Sequence, residues 1–446
     1  MKVAFLTLGC KVNSYETEKM KQQFEDRGHM VVSFEEKADV YIINTCTVTN
    51  IADRKSRKML HRAKRLNPDS IVAATGCYVD SAEKKGEKDT SVDIFIPNSK
   101  KDDIADIIIN EYSMKTNNDI TDDATLPKMS ETAMKEEHTR AYLKVQNGCN
   151  QYCTYCIIPY VRGPLTSKST GQVVNEVKQL ANKGIKEVVI TGIHLSSYGV
   201  DSNKSGSFLE LEGRPLLELL EAVSEVKGIE RIRLGSLEPR IITEKFAERL
   251  SKIKGICPHF HLSLQSGCDT VLKRMNRHYT SQDYLERTEI LRKYFVNPAV
   301  TTDIIVGFPQ ETEEEFAATC EFAKKVGFAQ IHVFKYSRRQ GTIADSMDGQ
   351  ITETVKSERS ERLISIEKQL EEKYQKESVK EIEDVLFEES TLIEGKKYIT
   401  GYNERYVRIA VACDDNKDME SLCNTIKSVR ITGQLTTDIM LGEILD

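Results

Sequence analysis

Tyr142-Leu143-Lys144-Val145-Gln146-Asn147-Gly148-Cys149-Asn150-Gln151-Tyr152-Cys153-Thr154-Tyr155-Cys156 joins a short strand pattern to three cysteines. The spacing is C-x3-C-x2-C, and the next cysteine downstream is Cys257. Three thiolates fill three corners of a cubic iron–sulfur cluster and leave one iron without a protein ligand. An iron left open in this way is a reaction site, whereas a fully ligated cluster passes electrons. Cys153 and Cys156 alone also fit half a zinc site or a redox pair, but zinc would need a fourth ligand from elsewhere. Burial as small hydrophobes explains one cysteine better than three among Asn, Gln, Thr and Gly.

Outward from this loop, strand and helix patterns alternate. Tyr142–Val145, Glu187–Thr191, Arg231–Leu234, His259–Leu264, Val300–Val306 and Ile331–Tyr336 read as strands. Val173–Ala181, Leu216–Val226, Thr243–Ile253, Asp283–Lys293 and Glu313–Val326 read as the helices between them. The pattern predicts a partial parallel (β/α)6 barrel, whose site lies at the C-terminal strand ends. Cys149 lies just past the first of those ends. Gly192, Ser236, Glu238 and Gln265 follow the second, third and fourth strands. Glu238 can accept hydrogens from a ligand, or pair with Arg240 or Arg233; both readings stay open. For His194 a structural loop histidine is the simpler reading.

Upstream, residues 1–112 read as an open α/β sheet domain. Cys10, Cys46 and Cys77 each follow a strand directly, in Leu8-Gly9-Cys10, Asn44-Thr45-Cys46 and Thr75-Gly76-Cys77. Ligands of open α/β sheets bind at such ends, so the three thiols can converge on a second three-cysteine cluster. Gly9 and Gly76 permit close backbone approach there. Residues 113–138 are polar and read as a linker. Residues 139–375 hold the barrel and a charged connecting helix. Residues 376–446 show short β-like runs expected to form a small β-barrel.

The 446-residue chain has a net charge of −6 and eleven cysteines. A disulfide framework suits small secreted domains, not a long charge-rich chain. The first apolar run is too short for an export signal, and no run reaches transmembrane length, so a cytoplasmic protein is expected. Arg54, Lys58, Arg62 and Arg65 share one helical face and could track phosphates. Arg405 and Arg408 lie among Tyr398, Tyr402 and Tyr406, a mixture that suits unpaired bases.

The cysteine loop, with Tyr155 before its last cysteine, resembles that of the radical S-adenosylmethionine (SAM) enzymes. Together with Arg233-Leu-Gly-Ser-Leu-Glu-Pro239, Leu264-Gln-Ser-Gly267 and Ile305-Val-Gly-Phe-Pro309, the chain resembles the methylthiotransferases over nearly its whole length. The resemblance implies an N-terminal three-cysteine domain, a radical SAM barrel and a C-terminal TRAM domain that binds RNA. It implies two [4Fe-4S] clusters, one on Cys149, Cys153 and Cys156 and one on Cys10, Cys46 and Cys77. SAM is then both methyl donor and radical source, with contacts from Tyr155, Gly192, Ser236, Glu238 and Gln265. Thr7-Leu-Gly-Cys-Lys-Val-Asn13 and Thr191-Gly-Ile-His194 resemble the subgroup that modifies N6-threonylcarbamoyladenosine in the anticodon stem-loop of tRNA. Related members act on isopentenyladenosine or a ribosomal protein; a metal-stabilised RNA-binding module is the non-catalytic alternative. An external electron donor and sulfur source are implied, and no membrane. Gln310 stands where the family usually has Gly; a left-handed backbone there would strain it.

Overall fold

A computed structural model describes residues 1–86, 89–116, 139–200, 207–412 and 419–445. They form two compact units. Of these, the first unit contains residues 1–86, 89–116, 148–164 and 337–345, and the second the others. The cysteine loop at 149–156 packs with the N-terminal sheet.

The first unit carries β1 (Lys2–Thr7), α1 (Lys11–Glu25), β2 (Met30–Val32), β3 (Val40–Thr45), α2 (Asn50–Leu66), β4 (Ile71–Gly76), α3 (Cys77–Lys85), β5 (Ile94–Ile96), α4 (Ile104–Thr116) and α5 (Ile158–Arg162). The five strands pair in parallel in the order β2-β1-β3-β4-β5. β3 and β4 are buried throughout, so each reads as a continuous apolar run with no alternation. Val3, Phe5, Ile42 and Ala73 pack on one face with Met20 and Phe24 of α1 and Ile104 and Ile108 of α4. Ala4, Tyr41, Ile43 and Val72 pack on the other with Leu60 and Ala63 of α2. α4 runs to Thr116, so residues 113–116 of the expected linker are helical. The rest of that linker lies outside the described residues.

The second unit is built on β6 (Arg140–Asn147), β7 (Thr166–Ser167), α6 (Thr170–Asn182), β8 (Glu187–Gly192), α7 (Arg214–Ser224), β9 (Arg231–Leu234), α8 (Glu244–Leu250), β10 (His259–His261), α9 (Asp269–Arg274), α10 (Ser281–Tyr294), β11 (Ala299–Val306), α11 (Glu313–Val326) and β12 (Gln330–Lys335). β6, β8 and β9 pair in parallel, as do β10, β11 and β12. Isolated parallel bridges Ile232–Ile256 and Leu237–Leu262 join the two sheets, giving the six-stranded partial barrel that the pattern predicts.

α12 (Glu353–Glu377) leads to β13 (Ile382–Ile393), β14 (Lys396–Asn403), β15 (Arg408–Ala412), β16 (Ile426–Thr436) and β17 (Ile439–Ile444). These strands close into a barrel in the order β13-β14-β15-β17-β16. Its core is Val385, Phe387, Ile399, Ile409, Val429 and Met440. Gln310 has φ +65, a left-handed value that is costly for a residue with a side chain. Its N–H donates to Gly349 O at 2.8 Å, which holds the turn in place.

Candidate active site

Each N-terminal cysteine stands between a strand end and a helix start. Cys10 is the N-cap of α1, Cys46 lies four residues before α2, and Cys77 is the first residue of α3. β1, β3 and β4 are neighbours, so their ends lie about 5 Å apart from strand to strand. The chain order reverses between β1 and β3, the crevice where open α/β sheets bind ligands. The helix starts beside Cys10 and Cys77 bring backbone N–H groups to these strand ends.

The backbone is drawn tight around these thiols. Gly9, at φ +106, lies where a Cβ would come 3.0 Å from Cys46 Sγ. Gly76, at φ +97, has no room for a Cβ beside the Thr45 carbonyl. Cys46 and Cys77 are buried and Cys10 is exposed. Burial pushes the Cys46 thiol up to about 11, and the neighbouring Cys77 and Cys10 add to the rise. Three thiols close enough to influence one another, on three separate strand ends, fit three corners of one cluster.

Cys149, Cys153 and Cys156 are all half-buried. Gly148, at φ +72, starts their loop where a Cβ would strike the Pro164 carbonyl. Tyr152 takes a left-handed turn at φ +48, and Cys156 N–H donates to Cys153 O at 3.0 Å. The loop thus folds back on itself and leaves three thiols reachable. Tyr155, half-buried, is within it.

Two arginines invisible as site residues in the sequence bind these parts together. Arg162, at the end of α5, is buried and donates to Cys77 Sγ at 3.3 Å, Glu16 Oε1 at 2.8 Å and Asn13 Oδ1 at 2.7 Å. Burial works against its charge, but Cys77 and Glu16 more than offset that and keep it protonated. Arg339, also buried, pairs with Asp53 Oδ2 at 2.8 Å and donates to Asn50 Oδ1 and Thr47 Oγ1, all just beyond Cys46. Nearby, Ala344 N–H donates to Thr154 O at 2.9 Å, inside the cysteine loop. Beside them is a polar pocket of about 300 Å³ lined in part by Arg57, Tyr78, Ser81 and Arg338. The signals were a lone Arg after the cysteine loop and a Ser-Arg-Arg run at 337–339; their partners are too distant in sequence to be read.

Within the second unit, the expected SAM contacts divide. The space a Gly192 Cβ would need is filled by the Gln146 side chain, whose Oε1 accepts from His194 N–H at 2.7 Å. Ser236 is exposed. Gln265 is buried at φ +72, with backbone bonds to Asp303 and Ile305 of β11. Glu238 is buried and bound to Arg240 Nε at 2.6 Å, which favours the ion pair of its two readings. His194 is held by Ser197 Oγ at 2.7 Å, and burial takes its pKa down to about 3. His261, Asp303 and His332, on three adjacent strands, bring ligand atoms within 4.8 Å of one another, a polar cluster the sequence reading missed.

Of the expected RNA contacts, Arg54, Lys58 and Arg65 are exposed on α2, while Arg62 pairs with Glu35. The C-terminal cations are both half-buried and ion-paired. Arg405 pairs with Glu383 and Arg408 with Glu389. The Tyr406 ring lies under the guanidinium groups of Arg140 and Arg233, at 4.9 and 4.8 Å, and packs on His259. Arg231 and Arg233, wholly buried, donate to the carbonyls of Tyr402, Asp384 and Glu404. Tyr402 and Tyr406 thus help dock the small barrel on the large one, whereas the pairs of Arg405 and Arg408 lie within the small barrel.

The fold and the thiol loops define a radical SAM protein with an additional three-cysteine domain. Two family models agree: the radical SAM superfamily over residues 143–323 and the uncharacterized protein family UPF0004 over residues 2–97. The threonylcarbamoyladenosine tRNA methylthiotransferase MtaB of Bacillus subtilis is 39% identical, covering 96% of this chain and 93% of that one. A tRNA-2-methylthio-N(6)-dimethylallyladenosine synthase of Finegoldia magna is 32% identical, covering 97% and 94%. The solved radical SAM methyltransferase TsrM of Kitasatospora setae, with cobalamin and a [4Fe-4S] cluster bound, shares the fold at a TM-score of 0.52 and 15% identity over 77% of each chain. This chain belongs to the radical SAM methylthiotransferase family, and within it to the MtaB type. SAM and [4Fe-4S] clusters are the cofactors of that family.

Proposed function

We propose that this chain introduces a methylthio group at C2 of N6-threonylcarbamoyladenosine next to the anticodon of tRNA. The observation that carries the reading is that both cysteine trios belong to one compact unit, with Arg162 reaching from just after one loop to a cysteine of the other. When bound, the iron–sulfur clusters and SAM supply the radical that activates C2 and the methylated sulfur that replaces its hydrogen.

The chain's own residues do the holding. Cys149, Cys153 and Cys156 would bind one cluster with an iron left for SAM, and Cys10, Cys46 and Cys77 the other. Gly9, Gly76 and Gly148 keep the backbone close to these sites, and Arg162 and Arg339 fix the loops. The exposed face of α2 binds phosphates of the anticodon stem-loop. The adenine is taken out of its stack so that C2 can meet the reactive groups. Electrons and sulfur come from outside the chain. No described helix is long and apolar enough to cross a membrane, and a tRNA substrate fits a cytoplasmic setting.

Mass spectrometry of tRNA nucleosides from a strain lacking this protein tests the reading. The methylthio mark on threonylcarbamoyladenosine should vanish and return on complementation. Loss of the mark on dimethylallyladenosine instead would move the assignment to the related substrate. No change in either would overturn it.

A further inference from the structure

Arg162 belongs to α5, six residues past Cys156, yet every hydrogen bond described for it above is made to residues of the N-terminal sheet domain. Its Nε faces Cys77 Sγ at 3.3 Å, a distance suited to an N–H···S hydrogen bond. Its two terminal nitrogens engage Glu16 and Asn13. Asn13 in turn donates to Leu8 O at 2.7 Å and Thr45 O at 3.0 Å, the carbonyls two residues before Cys10 and one before Cys46. One guanidinium is therefore joined, directly or through a single amide, to all three strand ends that carry the trio.

Two buried cations and two acids meet beneath the trio. Glu16 is shared by two buried cations, Arg162 and Lys101, the latter at 2.5 Å. Lys101 also donates to Asn44 Oδ1 at 3.0 Å. Asp80 accepts from the backbone and side-chain nitrogens of Asn98 and also lies in the field of Lys101 and Arg162. An oxidised cube held by three thiolates carries a net negative charge, and the Arg162 guanidinium would stand beside it at Cys77. Hydrogen bonds and positive charge beside a cluster sulfur favour its reduced state and raise its potential.

We infer that Arg162 is a positioning residue that couples the two cysteine loops: from the loop that carries Cys149, Cys153 and Cys156, it hydrogen-bonds Cys77 and electrostatically stabilises the cluster held by Cys10, Cys46 and Cys77. Reduction and loading of that cluster then depend on a side chain supplied by the other loop. The inference rests on the ligand assignment of the N-terminal trio.

The test uses the full chain with Cys149, Cys153 and Cys156 all replaced by Ala, reconstituted anaerobically with iron and sulfide, so that only the N-terminal cluster reports. Arg162→Gln in that background should lower the midpoint potential in a redox titration followed by electron paramagnetic resonance, and change the line shape of the reduced signal. Arg162→Lys keeps the charge but cannot reproduce the planar three-way hydrogen bonding, so it should shift the potential in the same direction by less. If Arg162→Gln does not fold, Arg162→Lys carries the test alone. A signal and potential unmoved in whichever variants fold overturn the inference while the methylthiotransferase reading stands. Absence of any cluster when Arg162 is intact removes the ligand assignment and the inference with it.

Discussion

The two cysteine trios are built in opposite ways. Cys149, Cys153 and Cys156 fit within eight residues of one loop, and their half-buried thiols are positioned by local turns. Cys10, Cys46 and Cys77 come from three strand ends and are brought together only by a completed sheet. The first trio can exist wherever its loop can bend. The second exists only where β1, β3 and β4 are in register. A site made from one loop tolerates change in the surrounding fold; a site made from a sheet shares the fold's fate.

The largest effects come from the thiols themselves. Cys149→Ala should abolish SAM cleavage, by about 10³-fold or more, roughly 4 kcal/mol of lost barrier reduction. Cys10→Ala should leave SAM cleavage near the parent rate and stop methylthiolation. Assays of 5′-deoxyadenosine and of modified nucleoside on the same samples separate the two. If Cys10→Ala still delivers the methylthio product, the division of labour between the trios is wrong.

Next are the glycines that shape each trio. Gly76→Ala would set a methyl group against the Thr45 carbonyl at φ +97, and Gly148→Ala one against the Pro164 carbonyl at φ +72. Each should destabilise by about 3 kcal/mol. The contrast is in where the damage goes. Gly76→Ala should lower the melting temperature and lose the N-terminal iron, because the sheet carries that site. Gly148→Ala should lose mainly the iron of the loop. Iron counts on the two variants, with the melting curves, decide whether the sites fail separately.

The third comparison is between cations on one helix. Arg54, Lys58 and Arg65 are exposed, whereas Arg62 is engaged by Glu35. Alanine at any of the first three should reduce the slope of log Kd for tRNA against log salt by about 0.7–0.9. Arg62→Ala should change it less. Equal effects at all four positions would show that the Glu35 pair opens when RNA binds.

The smallest effect lies in the second unit, which holds neither trio. Burial, with Glu367 and Asp438 nearby, pushes the Glu371 carboxyl on α12 up to about 7. The folded state thus favours the protonated form. Its contribution is complete below the ordinary carboxyl range near pH 4.5 and is lost as pH rises through about 7. Glu371→Gln should raise the melting temperature at pH 8 by about 2 °C and leave it nearly unchanged at pH 4. Iron content should not change, since α12 holds neither trio.

What the sequence discloses follows the same contrast. The loop trio is readable from spacing alone because its geometry is local. The strand-end trio is readable only through the rule that sheet ligands gather at carboxyl ends, and the observed order β2-β1-β3-β4-β5 places Cys10 and Cys46 on either side of the switch point. The short helix α3 escaped notice because Cys77 opens it directly, without a polar cap. Arg162 and Arg339 could not be read as site residues, since their partners lie 85 and 289 positions away. The packing of Tyr406 on Arg140, Arg233 and His259 was not legible, because aromatic rings among arginines look alike in sequence whether they await a base or fill an interface.

Residues 337–345 return to the N-terminal sheet, where Arg339 seals Thr47, Asn50 and Asp53 and Ala344 meets Thr154. The stretch after Cys46 is therefore completed only by a segment almost three hundred positions downstream. A polypeptide that stops after the barrel's fifth strand would lack those contacts, so the domain synthesised first is finished by one of the last pieces of the barrel to appear.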